Sequence, residues 1–455
     1  VTDAILDTAN DADADITAIY ADGATLTTAA GKDLNILSGD TFGPTGAVVV
    51  GGDMAANGTY TPALTTAVTG DLSIGAAGVI TAGGATTVGD DFSNLGTYTA
   101  GATTLSVAGD FTNDATATFT AGTGLVEFTG TTAQVVTTNG DALNNVENKN
   151  TTAVVSLGSA LTVGGTYNND DGAILSLGGS DLTVTGAFTN GDTPANTTAA
   201  IRLVGSETVT LTAGQDIDSG TFEYVGNGTG STLFTGVQDF GATDYFNLVI
   251  NDAAGTNSDI FQIGSVLTVA NDLLIMDGEL RGGSNTISVA GDFDLDATGV
   301  FDAETSTVVL DAINDHVISG SPTFYNLTLT EDNDTDDTIL TFDDGATITI
   351  DGTLALDGAD ADDTINLVSN PGTVAAIMNV VGGSGSITAD FLDITDNTLQ
   401  YAGVTAAPVN NPANSVDGGS TLGWFPTPSI AGTVYLADGV TPYTTASTMN
   451  VLVNG

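Results

Sequence analysis

Val107-Ala-Gly-Asp-Phe111 and Val289-Ala-Gly-Asp-Phe293 are the same five residues, written 182 positions apart. Looser copies surround them: Val50-Gly-Gly-Asp-Met54, Val68-Thr-Gly-Asp-Leu72, Val88-Gly-Asp-Asp-Phe92, Val163-Gly-Gly-Thr-Tyr167, Val184-Thr-Gly-Ala-Phe188, Val269-Ala-Asn-Asp-Leu273 and Ile350-Asp-Gly-Thr-Leu354. Each is an aliphatic residue, a small polar turn and a large apolar residue. The first four copies start at 50, 68, 88 and 107, in steps of 18, 20 and 19. The pairs starting at 163 and 184 and at 269 and 289 are 21 and 20 apart. A repeat near 20 residues marks a stacked-repeat architecture.

Around the first copy, Leu105 and Val107, then Ala117 and Phe119, then Val126 and Phe128 alternate with small polar residues. Period two interrupted by short Gly/Asp/Asn breaks gives short strands and frequent turns. In an antiparallel sandwich the same side-chain pattern need not return every twentieth residue. In a coil of stacked turns it must, because equivalent residues then form vertical files about 4.8 Å apart. The expectation is an all-β fold: a right-handed parallel β-helix (β-solenoid) with about 20 residues per rung, plus a short C-terminal β-hairpin segment.

On that scheme Phe92, Phe111, Tyr167, Phe188 and Phe293 form one interior file, and the valines that start the motifs form another. Asn94, Asn113, Asn169 and Asn190 sit two residues after the aromatic and could stack as an amide ladder, or simply serve as turn residues. A second element recurs as Leu143-Asn-Asn-Val146, Phe246-Asn-Leu-Val249 and Tyr325-Asn-Leu-Thr328. It follows the two identical pentapeptides at nearly equal distances, from Val107 to Asn145 and from Val289 to Asn326. This predicts that the pentapeptides open equivalent two-rung blocks of a duplicated unit.

Three segments follow. Residues 1–40 carry a poorer repeat and are expected to cap the coil, since a bare terminal rung exposes apolar surface and strand edges. Residues 41–425 are the solenoid, closing near the single tryptophan, Trp424. Residues 426–455 open with Pro426-Thr427-Pro428 and continue as two apolar runs around a turn. They form a linker and a C-terminal strand segment, suited either to adding to a neighbour's edge or to starting an Ig-like domain.

Composition narrows the function. Fifty-six acidic residues face four basic ones, a net charge of −52. Nucleic acid and anionic membrane both need cationic side chains, so neither is an expected partner, and no membrane insertion is expected. The acid is almost all Asp, with only seven Glu. Asp suits turns and Glu suits helices, so the charge reads as turn chemistry facing water. There is no Cys. The chain opens on Val1, which fits a processed mature protein whose signal peptide is gone.

Candidate chemistry is sparse. Asp11, Asp13 and Asp15 alternate, as do Asp332, Asp334 and Asp336, so each triplet would share a strand face. Hard oxygen ligands at that spacing suit Ca²⁺, and solvated acidic turns are the alternative. Asp332 does not start an EF-hand loop, because Asp337 and Asp343 stand where Gly and Glu are needed. No other cofactor is expected. His316 is the single histidine and reads as an exposed turn residue; with no Cys, zinc sites and histidine triads are excluded. Carboxylate pairs can hydrolyse glycosides, but among 56 acids some pair must meet by chance. Arg202 and Arg281 are the only arginines for an acidic sugar. The expectation is that the chain is not an enzyme. Sequons such as Asn227-Gly-Thr229 and Asn326-Leu-Thr328 are expected from composition alone.

The run from Val107 to Gly124, Phe324-Tyr-Asn-Leu-Thr-Leu329 and the closing Asp417–Phe425 resemble repeats of large bacterial extracellular surface proteins, of the filamentous-haemagglutinin-like and autotransporter-adhesin-like kinds. The resemblance spans roughly residues 45–425 and is one of composition and rhythm. It implies a right-handed parallel β-helix, export, and a structural or adhesive role. The functional expectation is an extracellular structural protein at the cell surface, assembling with copies of itself into a filament, sheath or surface layer. A monomeric adhesin or stalk binding a surface glycan or protein is the alternative, and a polysaccharide-active β-helix enzyme the third reading.

Overall fold

In the computed structural model the described residues are 4–6, 17–18, 23–228, 230–252, 259–311, 314–331, 337–370, 372–382, 386–405 and 412–425. The C-terminal segment 426–455, most of the first 22 residues and both Asp triplets lie outside them. The chain is a β-solenoid of about 18 turns, with about 21 residues per turn. Among the described residues there is no helix, and every strand pair is parallel except Asn397–Tyr401 with Val404–Thr405.

One turn shows how the sequence makes the coil. Phe111–Asn113 lies on the first side, Thr118–Thr120 on the second and Leu125–Phe128 on the third. Gln134–Thr137 then returns to the first side and pairs with Phe111–Asn113. Two to four residues per side is enough for one or two inward side chains, and the Gly/Asp/Asn breaks make the corners. Inward residues such as Phe111, Phe119, Val126 and Phe128 are buried while their neighbours face solvent. The first side already includes Ala4–Leu6 and Leu34–Ile36 and continues to Val416–Gly419. Later, Leu273–Arg281 and Phe293–Asp302 run unbroken across the first corner, with a register shift between Ile275 and Asp277.

The single aromatic file is corrected to two. Phe92 and Phe111 stack at 5.0 Å on the first side. Tyr167 and Phe188 stack at 5.7 Å, but on the third. Phe293 is again on the first side, packed edge-on to Phe324 at 5.0 Å. The reason is arithmetic: 56 residues separate Phe111 from Tyr167, which is not a whole number of 21-residue turns. The motif therefore moves by one side. The amide ladder forms and is split in the same way. Asn94 Nδ2 donates to Asn113 Oδ1 at 2.7 Å on the first side. On the third, Asn148 donates to Asn169 at 2.8 Å and Asn169 to Asn190 at 2.9 Å. All five amides are buried inside the coil rather than at its corners. Trp424 is fully buried, and its Nε1–H donates to Asn397 Oδ1 at 2.9 Å.

Candidate functional site: the acidic corner and the second-side groove

The identical pentapeptides occupy the same corner, between the third side and the first. Val107 and Val289 end third-side strands and point inward, and Phe111 and Phe293 begin first-side strands and point inward. The aspartate between them has a specific partner. Asp91 Oδ1 accepts the Asp110 N–H at 2.7 Å, one turn further on. The same bond links Asp33 to Asp53 (2.9 Å), Asp53 to Asp71 (3.0 Å) and Asp71 to Asp91 (3.1 Å). It recurs from Asp272 to Asp292 at 2.9 Å. Each carboxylate thus satisfies a corner N–H of the next turn, a charge-assisted bond.

The glycine before the aspartate follows from this. A Cβ on Gly109 would lie 2.3 Å from Asp91 Oδ1, and one on Gly291 would lie 2.4 Å from Asp272 Oδ1. The incoming carboxylate of the previous turn occupies the space a side chain would need. In the 88–92 copy, Asp90 stands in that glycine's place. It brings a third carboxylate beside Asp71 and Asp91, whose ligand atoms all lie within 4.8 Å of one another. Loss of water contact and then the charges of Asp91, Asp71, Asp53 and Asp110 push the Asp90 carboxyl up. All three residues are exposed.

The duplication extends beyond the pentapeptide, and it overturns the expectation for His316. His316 is buried, with Nδ1 2.7 Å from the Gly291 carbonyl and Nε2 2.6 Å from the Asp311 carbonyl. Gln134 is buried in the matching place, donating from Nε2 to the Gly109 carbonyl at 2.6 Å and the Val107 carbonyl at 3.1 Å. Each lies 25 residues after its glycine. The next residue matches too: Val135 N–H donates to Asp110 Oδ1 and Val317 N–H to Asp292 Oδ1, both at 2.7 Å. His316 is therefore an inward polar residue that bonds corner carbonyls. The polar Asn314-Asp315 before it suggested a turn, but its strand has already begun.

Lys149, Arg202 and Arg281 are held by carboxylates, mostly the rare glutamates. Lys149 Nζ lies 2.7 Å from Glu127 and 2.9 Å from Glu147. Arg202 pairs with Glu223 at 2.6 Å. Arg281 pairs with Glu279 and, at 3.2 Å, with Asp302. Arg202 and Arg281 are thus engaged separately. The Arg281 cluster edges an open groove of about 420 Å³ on the second side, with Glu304, Tyr325 and Asp351 also lining it. Carboxylates and a tyrosine on a shallow floor can accept and donate hydrogen bonds to hydroxyl-rich ligands. Nothing in the sequence marks this groove, because its residues come from four successive turns. Asp11, Asp13, Asp15, Asp332, Asp334 and Asp336 lie outside the described residues.

No protein-family model, no curated protein and no solved structure matches the chain.

Proposed function

We propose that this chain is an extracellular structural protein, the shaft of a surface filament, sheath or layer built from copies of itself. The observation that carries this reading is the first side, which stays hydrogen-bonded from Ala4–Leu6 to Val416–Gly419. About 18 turns at about 4.8 Å each make a shaft of roughly 90 Å. Its stability is a sum of turn-on-turn contacts, so length adds no new folding problem. Among the described residues, Ala4–Leu6 pairs in register only with Leu34–Ile36, and Val416–Gly419 only with Leu392–Thr395. Open parallel edges accept a further strand, and a head-to-tail contact of this kind propagates into a fibre. The 426–455 segment supplies the added strand, and the acidic triplets Asp11, Asp13, Asp15 and Asp332, Asp334, Asp336 bind structural Ca²⁺.

Negative-stain microscopy of the purified chain with and without residues 426–455 tests the assembly. Uniform fibres that disappear on deletion are expected; single rods in both samples would refute it. Chelation with EGTA tests the calcium: an unchanged melting temperature would remove it from the proposal. The groove at Glu279, Arg281, Tyr325 and Asp351 favours one second reading, a stalk that binds a neutral glycan. Retention of the chain on a glycan array, lost on Tyr325→Ala, would support it over a purely structural role.

A further inference from the structure

Two carboxylates away from the motif corner meet in a setting that inter-turn capping does not explain. Asp252 is 2% exposed and Asp259 is fully buried. Asp259 accepts two backbone hydrogen bonds: Oδ1 from the Thr232 N–H at 2.7 Å and Oδ2 from the Asn227 N–H at 2.9 Å. Asp252 Oδ2 accepts the Asp259 N–H at 2.7 Å. Among the described residues, Asp252 Oδ1 is buried with no hydrogen-bond partner.

That oxygen is aimed at a defined point. A Cβ on Gly226 would lie 2.5 Å from Asp252 Oδ1 and 2.6 Å from Asp259 Oδ2, so both oxygens overhang the same glycine. Gly226 has φ +67°, a conformation that also disfavours any side chain there. From the next turn, the Asp277 carbonyl accepts the Asp252 N–H at 3.1 Å, and Gly278 packs under the Asp252 side chain. The charged groups around Asp252 are Asp259 and Asp277, and both are negative. Burial pushes the Asp252 carboxyl up, and those two charges push it the same way, against the hydrogen bond from Asp259. Two buried carboxylates with no cationic side chain between them need a counter-charge from elsewhere.

We propose that Asp252 and Asp259 form a buried site for a hard divalent cation, with Asp252 Oδ1 and Asp259 Oδ2 as its anionic ligands. Calcium is the ion to test, because it accepts carboxylate oxygens at flexible angles and completes its shell with carbonyls and water. The site is independent of the assembly reading and of both Asp triplets. The competing arrangement is a proton on Asp252 shared with Asp259.

The test uses the full chain, stripped of metal and titrated with calcium chloride by calorimetry at high ionic strength, which mutes the exposed carboxylates. The variants are Asp252→Asn and, as a surface control, Asp71→Asn. The wild type should show a tight class of calcium site that Asp71→Asn keeps and Asp252→Asn weakens at least about tenfold. No tight class, or one untouched by Asp252→Asn, would overturn the proposal in favour of the shared proton. A second measurement needs no variant: long-wavelength anomalous scattering from wild-type crystals grown in calcium should place a peak between Asp252 Oδ1 and Asp259 Oδ2. Its absence there would also overturn the site.

Discussion

Replacing His316 tests whether the two blocks of the coil are built by one rule. His316→Leu keeps much of the volume but leaves the Gly291 and Asp311 carbonyls without the ring nitrogens now 2.7 and 2.6 Å away. Each acceptor stripped of the ring in a buried site costs about 1–3 kcal/mol, so the two together cost about 2–6 kcal/mol, and leucine recovers part of that through apolar burial, leaving a net loss of about 2–3 kcal/mol. His316→Gln should cost under about 1 kcal/mol, because the Gln134 amide already serves two carbonyls at the equivalent position. Gln134→Leu should be worse than His316→Leu. It also strands the Gly130 N–H and an Asn150 amide hydrogen, both donated to Gln134 Oε1 at 3.1 Å. A long repeat array does not melt as one unit, so a global midpoint would dilute the effect. Hydrogen exchange of peptides covering 289–295 and 307–318 reads it locally. A loss of 2–3 kcal/mol means roughly 30- to 150-fold faster exchange in those peptides. If His316→Gln is as damaging as His316→Leu, the equivalence of the blocks is wrong. If His316→Leu exchanges like wild type, the carbonyls do not need the ring.

Gly291→Ala should lower stability by about 1–3 kcal/mol, since its Cβ meets Asp272 Oδ1 at 2.4 Å and the Asn271 backbone at 2.7 Å; thermal melting checks it. Asn169→Ala breaks the buried ladder on both sides, stranding Asn148 Nδ2 and Asn190 Oδ1, and should cost about 3–5 kcal/mol by exchange of third-side peptides. Asp170 gives a pH dependence. Burial first, then Asp192 and Glu147, raise its carboxyl to about 6. The folded state thus holds a proton that the unfolded chain has lost between its ordinary value and about 6, and the ionisation penalty is complete above that. Asp170→Asn should therefore be more stable than wild type at pH 7–8, by about 1 kcal/mol after allowing for its partial exposure. The gap should close near pH 4; a gap constant across that range would rule out Asp170 as the source.

The coil was legible because its period is written in the chain: within each run, Val107-Ala-Gly-Asp-Phe111 and its relatives return one turn apart. The side of the coil was not read from the motif alone. Val88–Phe92 and Val163–Tyr167 share a pattern yet turn different corners, because a short tight turn serves either. Only the 56-residue gap between Phe111 and Tyr167 carries the phase, and it was in plain view. Gln134-Val135-Val136 and His316-Val317-Ile318 also match at equal offsets from the pentapeptides. That match was hidden because Gln and His look unlike until one asks what both can donate to. The Asp252–Asp259 contact had no sequence signature, since it depends on a glycine from the previous turn.

The charge itself has a structural origin that bears on function. Successive turns lie about 4.8 Å apart, and the corner N–H of each needs an acceptor because the ladder is interrupted there. An aspartate on the turn before reaches that N–H with its short side chain, as Asp53, Asp71 and Asp91 do in sequence. Glutamate is one methylene longer and, where it occurs, more often reaches a cation on a side of the coil, as Glu223 does to Arg202 one turn back and Glu279 to Arg281 on its own strand. A coil that repeats one corner many times therefore accumulates aspartate with each turn. The price is a column of like charges, which adds to the loss of water contact in raising the Asp90 carboxyl. The net charge of −52 is then largely a by-product of length, and acidity alone gives no reason to look for a basic partner. Acidity does set a condition on assembly: two such shafts can pack side by side only where salt or divalent cations screen their corners. End-to-end growth brings few carboxylates together and escapes that condition. If the chain assembles as proposed, its fibres should lengthen in low salt and bundle only on adding salt or calcium, and lateral bundling without either would contradict the proposal.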